Sequence, residues 1–115
     1  MWKVKFYADE REEFPNEFGM KITQDEALKI IKKLSRHFKF RCPGVVFKYS
    51  DGDRGLAKLG GWIMNLPKSP NLGITLHELA HFHNQEKYKN SNHNKKLMRT
   101  LRRFMKYCRN KNYWR

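Results

Sequence analysis

Seven consecutive residues carry the chemistry of this chain: Thr75-Leu76-His77-Glu78-Leu79-Ala80-His81. On a helix, residues four apart lie about one turn apart and are offset by roughly 40°. His77 and His81 would then project side by side and reach one metal ion through their imidazoles. Glu78 falls on an adjacent part of the same surface, near enough to hold a water on that ion without binding it. Two neutral imidazoles and a carboxylate base beside a water are what zinc-dependent hydrolysis needs. The competing view is a surface helix with incidental histidines. Leu79, Ala80 and Phe82 argue against it, because they give the segment apolar packing.

A catalytic zinc takes three protein ligands and keeps one position for water. The third ligand follows by elimination. His83 lies six residues after His77, roughly 240° around the helix, and faces away. Glu86 lies nine residues after it, roughly 180° away. No Asp or Glu follows Glu86, which excludes a downstream carboxylate. Asn84 and Lys87 stand where the longer HExxHxxGxxH pattern needs Gly and His. His93 is the histidine that remains downstream, and a helix–turn–helix fold-back would carry it over the first helix.

These residues must be held by elements that the sequence outlines. Trp2 to Ala8 alternates and is rich in aromatic and β-branched residues, which predicts a strand. Asp9 to Phe18, acidic and broken by Pro15, reads as a loop. Thr23-Gln24-Asp25-Glu26 has the form of a capping box. Ala27, Ile30, Ile31 and Leu34 then mark one helix face, with His37 at the basic end. Val45 to Tyr49 predicts a short strand, Asp51 to Gly55 a turn, and Leu56 to Leu66 a second strand with a bulge at Gly60-Gly61. A helix follows from about Leu72 to Lys87. After Asn90-Ser91-Asn92, with Ser91 or Asn92 as cap, a last helix runs to about Tyr107 on an apolar face of Leu97, Leu101, Phe104 and Met105.

His77-Glu78-Leu79-Ala80-His81, eleven intervening residues, and His93 opening a basic amphipathic helix resemble the SprT-like (Spartan-related) zinc metalloproteases. The likeness is best from about Gly61 to Met105, and the first sixty residues match only in general order. The resemblance implies Zn²⁺ held by His77, His81 and His93, Glu78 as general acid/base, and peptide-bond hydrolysis. Some members act on proteins bound to DNA. Members often carry Gly after the third histidine and an aromatic residue a few positions on, where this chain has Asn94 and Leu97. Asn tolerates the left-handed backbone that Gly adopts. Two isolated cysteines cannot build the C-terminal zinc ribbon of many relatives. The ImmA/IrrE-like proteases have a similar HELxH helix but take a downstream Glu as third ligand, and WLM-like relatives place the third histidine closer to the second.

The fold class expected is therefore α+β: a minimal zincin-like core with an N-terminal helix, a small antiparallel sheet or hairpin, the HExxH helix and a basic C-terminal helix, in one domain over residues 1–115. Zinc would make its water more acidic and polarise the scissile carbonyl. Glu78 takes the water's proton and passes it to the leaving amine. Tyr88, Lys95 and Asn94 are conceivable oxyanion donors.

Composition frames this reading. The chain has 115 residues, with 25 Lys+Arg against 11 Asp+Glu and a formal charge of +14. At 14% aromatic residues it differs from a disordered basic tail. From Glu86 onward there are 11 basic residues and one acid, so the excess gathers in the last helix and tail. Lys95, Lys96, Arg99, Arg102, Arg103, Lys106 and Arg109 are the candidate contacts for DNA or another nucleic acid, with Tyr107, Tyr113 and Trp114 as stacking aromatics. A solvated helix face explains the same run of charge. The alternative functions are a small nucleic-acid-binding module with structural zinc and an ImmA/IrrE-like regulatory protease. Cys42 and Cys108 predict two reduced thiols. No apolar run has the length of a signal peptide or a bilayer span, so an intracellular, cytoplasmic protein with no membrane partner is expected.

Overall fold

A computed structural model describes residues 2–49, 55–90 and 92–111, with side chains from Phe6 onward apart from Tyr7 and Tyr49. The fold is α+β, with five helices and one three-stranded sheet among the described residues. The elements run α1 (Trp2–Glu13), α2 (Pro15–Phe18), α3 (Gln24–His37), β1 (Gly44–Tyr49), β2 (Leu56–Lys58), β3 (Ile63–Pro67), α4 (Leu72–Tyr88) and α5 (Lys95–Lys111).

The N-terminal segment corrects two expectations. Trp2 to Ala8 is helical, not a strand, and Asp9 to Phe18 is the rest of α1 plus α2, not a loop. Phe6, Glu10 and Phe14 recur every four residues and are all buried. That spacing belongs to one helix face, and its burial outweighs the local alternation toward the N-terminus. α3 forms as its capping box predicts: Glu26 N donates to Thr23 Oγ1 at 3.0 Å and Thr23 N to Glu26 Oε1 at 2.8 Å.

The sheet order is β1-β3-β2. β3 pairs antiparallel with β2 and parallel with β1, so the sheet is mixed where an antiparallel one was expected. The expected strand over Leu56–Leu66 is two strands folded back on each other. The chain reverses between them through Trp62, which takes a left-handed φ of 55°. Its indole N–H donates to Arg41 O at 2.8 Å, and its ring meets Phe82 edge-on. Those contacts hold a bulky residue in a backbone region that side chains disfavour. In register, Val45, Met64 and Ala57 face the core, while Val46 and Leu56 lie on the outer face with Ile63. The turn expected at Asp51–Gly55 lies, apart from Gly55, outside the described residues.

α4 is buried on every side from Leu72 to Asn84, the mark of a central helix. Asn71 caps it by accepting from Ile74 N at 2.7 Å. Backbone bonds from Ile22 N to Pro70 O and from Leu72 N to Met20 O tie its start to the segment before α3. α5 begins later than expected. Asn94, rather than Ser91 or Asn92, accepts from the Leu97 amide at 3.1 Å (Ser91 itself lies outside the described residues). Leu97, Leu101, Phe104 and Met105 are buried as the helical spacing requires, joined by Met98 and Cys108. Both cysteines are free, and burial pushes the Cys108 thiol up to about 12. No helix among the described residues is long and apolar enough to cross a membrane.

Candidate metal centre

α4 and α5 pack against each other, and this brings together the three histidines singled out in the sequence. One ring nitrogen from each of His77, His81 and His93 lies within 4.8 Å of the other two. His77 and His81 are one turn apart on α4 and buried, whereas His93, just ahead of α5, is half-buried. Two imidazoles at about 2.0–2.1 Å from one tetrahedral ion set their nitrogens about 3.3–3.4 Å apart. Nε2 of His77 and Nε2 of His93 are separated by 3.3 Å. Donor chemistry and the spacing of this pair therefore fit a divalent metal that favours nitrogen, with the third nitrogen within 4.8 Å of both.

Glu78 stands beside this cluster without joining it. It is 6% exposed, and its Oε2 lies 3.9 Å from His77 Nε2. The start of β2 makes room for it. A Cβ on Gly55 would come within 2.9 Å of Glu78 Cγ and 3.1 Å of its Oε2. Any other residue at Gly55 must push that carboxylate or the strand aside.

α1 supplies what the sequence reading missed. The Glu10 carboxylate is 1% exposed and lies 2.7 Å from His77 Nδ1. Burial pushes the Glu10 carboxyl up to about 8, with Arg11 pulling the other way. A cation on Nε2 of His77 would favour the carboxylate, because Nδ1 must then be the N–H that donates to it. One turn earlier, Phe6 sets its ring edge-on to His77 at 5.8 Å and to His93 at 5.2 Å. Glu10 and Phe6 thus fix the tilt of two rings of the cluster. The available signal was an acid inside the Phe6–Phe14 stripe, at a spacing of four.

Carboxylate partners of metal-bound imidazoles are typically worth 10–100-fold in affinity. Glu10→Ala should accordingly weaken zinc binding by about 10–100-fold, read by competition with a chromogenic chelator. Unchanged affinity in a folded variant would show that Glu10 does not orient His77.

The other histidines and acids sit elsewhere. His83 is buried among Phe38, Phe40 and Phe104 on another side of α4, and burial lowers its pKa. Glu86 accepts from the Arg41 amide at 2.8 Å. Among the conceivable oxyanion donors, Tyr88 lines a cleft with His83 rather than the cluster, and the Asn94 amide oxygen is engaged in capping α5.

The basic residues of α5 do not form one uniform face. Arg102 makes a two-pronged ion pair with Glu13, and Arg109 makes one with Glu17. Arg103 lies over the Phe38 ring and Lys96 over Tyr88. Lys95 and Arg99 line a cleft shared with acids of α1, and Lys106 is exposed. Tyr107 packs its ring at a tilt against His37, while Tyr113 and Trp114 lie outside the described residues.

No family model, no curated protein and no solved structure matches this chain.

Proposed function

We propose that the protein is a zinc-dependent metallopeptidase of the SprT-like kind, hydrolysing peptide bonds with Glu78 as general base. The observation that carries this reading is the cluster of His77, His81 and His93 nitrogens with the buried Glu78 carboxylate at its edge. A structural zinc site is closed by four protein ligands and needs no base, whereas three ligands and a neighbouring carboxylate suit a hydrolase. Zinc, when bound there, supplies a Lewis acid and a more acidic water.

The remaining roles belong to the chain's own residues. Glu78 accepts a proton on its carboxylate and returns it to the departing amine. Glu10 holds the His77 ring, and Phe6 walls the cluster on the α1 side. The substrate is a protein or peptide, and proteins associated with DNA suit the positive charge of the molecule. We read the place of action as the cytoplasm, where two free thiols stay reduced.

The test pairs metal analysis with cleavage of a DNA-binding protein, with and without single-stranded DNA. One zinc per chain and chelator-sensitive cleavage are expected. A purified protein that takes up no zinc would overturn the reading.

A further inference from the structure

Among the described residues, two clefts open beside α5, and their charges differ. The cleft between α1 and α5 is lined by three acids, Asp9, Glu12 and Glu13, and by three bases, Lys95, Arg99 and Arg102. These cancel. The second cleft, of about 460 Å³, lies where α3, α4 and α5 meet. Its lining holds three cations, Lys39, Lys87 and Arg103, and no carboxylate. None of the three forms an ion pair among the described residues. Four rings complete the lining: His37, Phe38, His83 and Tyr88. Tyr88 is 44% exposed, and Lys96 Nζ lies 4.8 Å from its ring centre, adding a fourth cation nearby, while the Glu86 carboxylate, whose charge acts on His83, offsets one of them.

Basic side chains do gather at helix C-termini to offset the carbonyl ends, and α3 and α4 both end here. Each helix end carries only about half a negative charge, so two ends offset about one of the three cations. The remaining excess is positive and set among aromatic rings. A balanced cleft has no such preference for an anion.

We propose that this second cleft binds one nucleotide unit of a single-stranded nucleic acid. The phosphate lies among Lys39, Lys87 and Arg103, and the base lies against Tyr88. The volume is in the range of sites for small ligands. A base must leave the duplex stack before its face can meet a ring, which selects the single strand. The proposal does not rest on the peptidase reading, since none of the cleft residues belongs to the His77–His81–His93 cluster.

The test is fluorescence anisotropy of a labelled 15-residue oligo-dT and of its duplex with oligo-dA, in EDTA so that metal plays no part. Tyr88 and Lys87 are exposed, so their variants should fold. Tyr88→Ala should weaken single-strand binding about fivefold or more with an unchanged salt slope, because stacking carries no counterion. Lys87→Ala should lower the slope of log affinity against log salt by about 0.7. Asp25→Ala/Lys29→Ala, exposed on α3 and outside both clefts, removes one charge of each sign and should change affinity by no more than about twofold. Duplex bound as tightly as single strand, Tyr88→Ala without effect, or the control pair costing as much as Lys87→Ala would each overturn the proposal.

Discussion

Glu78→Gln should abolish peptide cleavage while leaving zinc content and folding intact. The amide has the shape of the carboxylate and fills the same space against Gly55, so packing is kept. What it lacks is a basic oxygen. General acid–base groups typically contribute 10²–10⁴-fold, and a loss of about that size is expected in kcat/KM. Zinc should remain, because the three imidazoles form the cluster without Glu78. The same variant separates the two functional classes. A nucleic-acid-binding module with structural zinc has no use for Glu78 and should lose nothing measurable. Full proteolysis in the Gln variant would sink the enzyme reading.

The second large effect belongs to His93. It is the one member of the cluster that α4 does not carry, and its removal leaves two imidazoles one turn apart. Loss of an orienting carboxylate alone costs 10–100-fold in metal affinity, so loss of a ligand itself should cost at least about 100-fold. His93→Ala should therefore emerge from gel filtration with little zinc by elemental analysis. The fold should survive, since Asn94 still caps α5 and Leu97 and Leu101 still anchor it. His83→Ala is the useful comparison: that ring belongs to the aromatic packing around Phe40 and Phe104, so zinc content should be unchanged. Undiminished zinc in His93→Ala would mean that the third ligand lies elsewhere.

The cluster was readable in the sequence because its first two members share one helix. A spacing of four fixes their relation before any tertiary structure is known. His93 followed from exclusion, since the chain beyond Glu86 holds no acid and no other histidine. Helix α3 was likewise readable from its capping box and α5 from its periodic apolar residues, though not its cap, while α4 was placed by the proline break before it and the motif it carries. Glu10 was not. Its neighbours before Asp9 alternate like a strand, and its helical face is declared only by Phe6 and Phe14. Nor was the parallel pairing of β1 with β3, because sequence order suggests that neighbouring strands pair. Gly55 gains its meaning solely from the distant side chain it lies against. The charge was read correctly in amount but not in layout: the ion pairs of Arg102 with Glu13 and Arg109 with Glu17 depend on where α1 and α2 dock.

The members of the site also differ in how far along the chain they must travel to meet. His77 and His93 are 16 residues apart, while Glu10 and His77 are 67 apart. Closing the longer loop costs about 1.3 kcal/mol more in chain entropy. The three imidazoles and Glu78 are thus a local assembly, carried by the hairpin of α4 and α5, and a peptide spanning residues 71–111 would contain them all. The carboxylate that orients His77 is a long-range addition. The imidazole cluster and the orientation of the His77 ring therefore have separate origins in the chain, and only the second depends on α1 reaching its place.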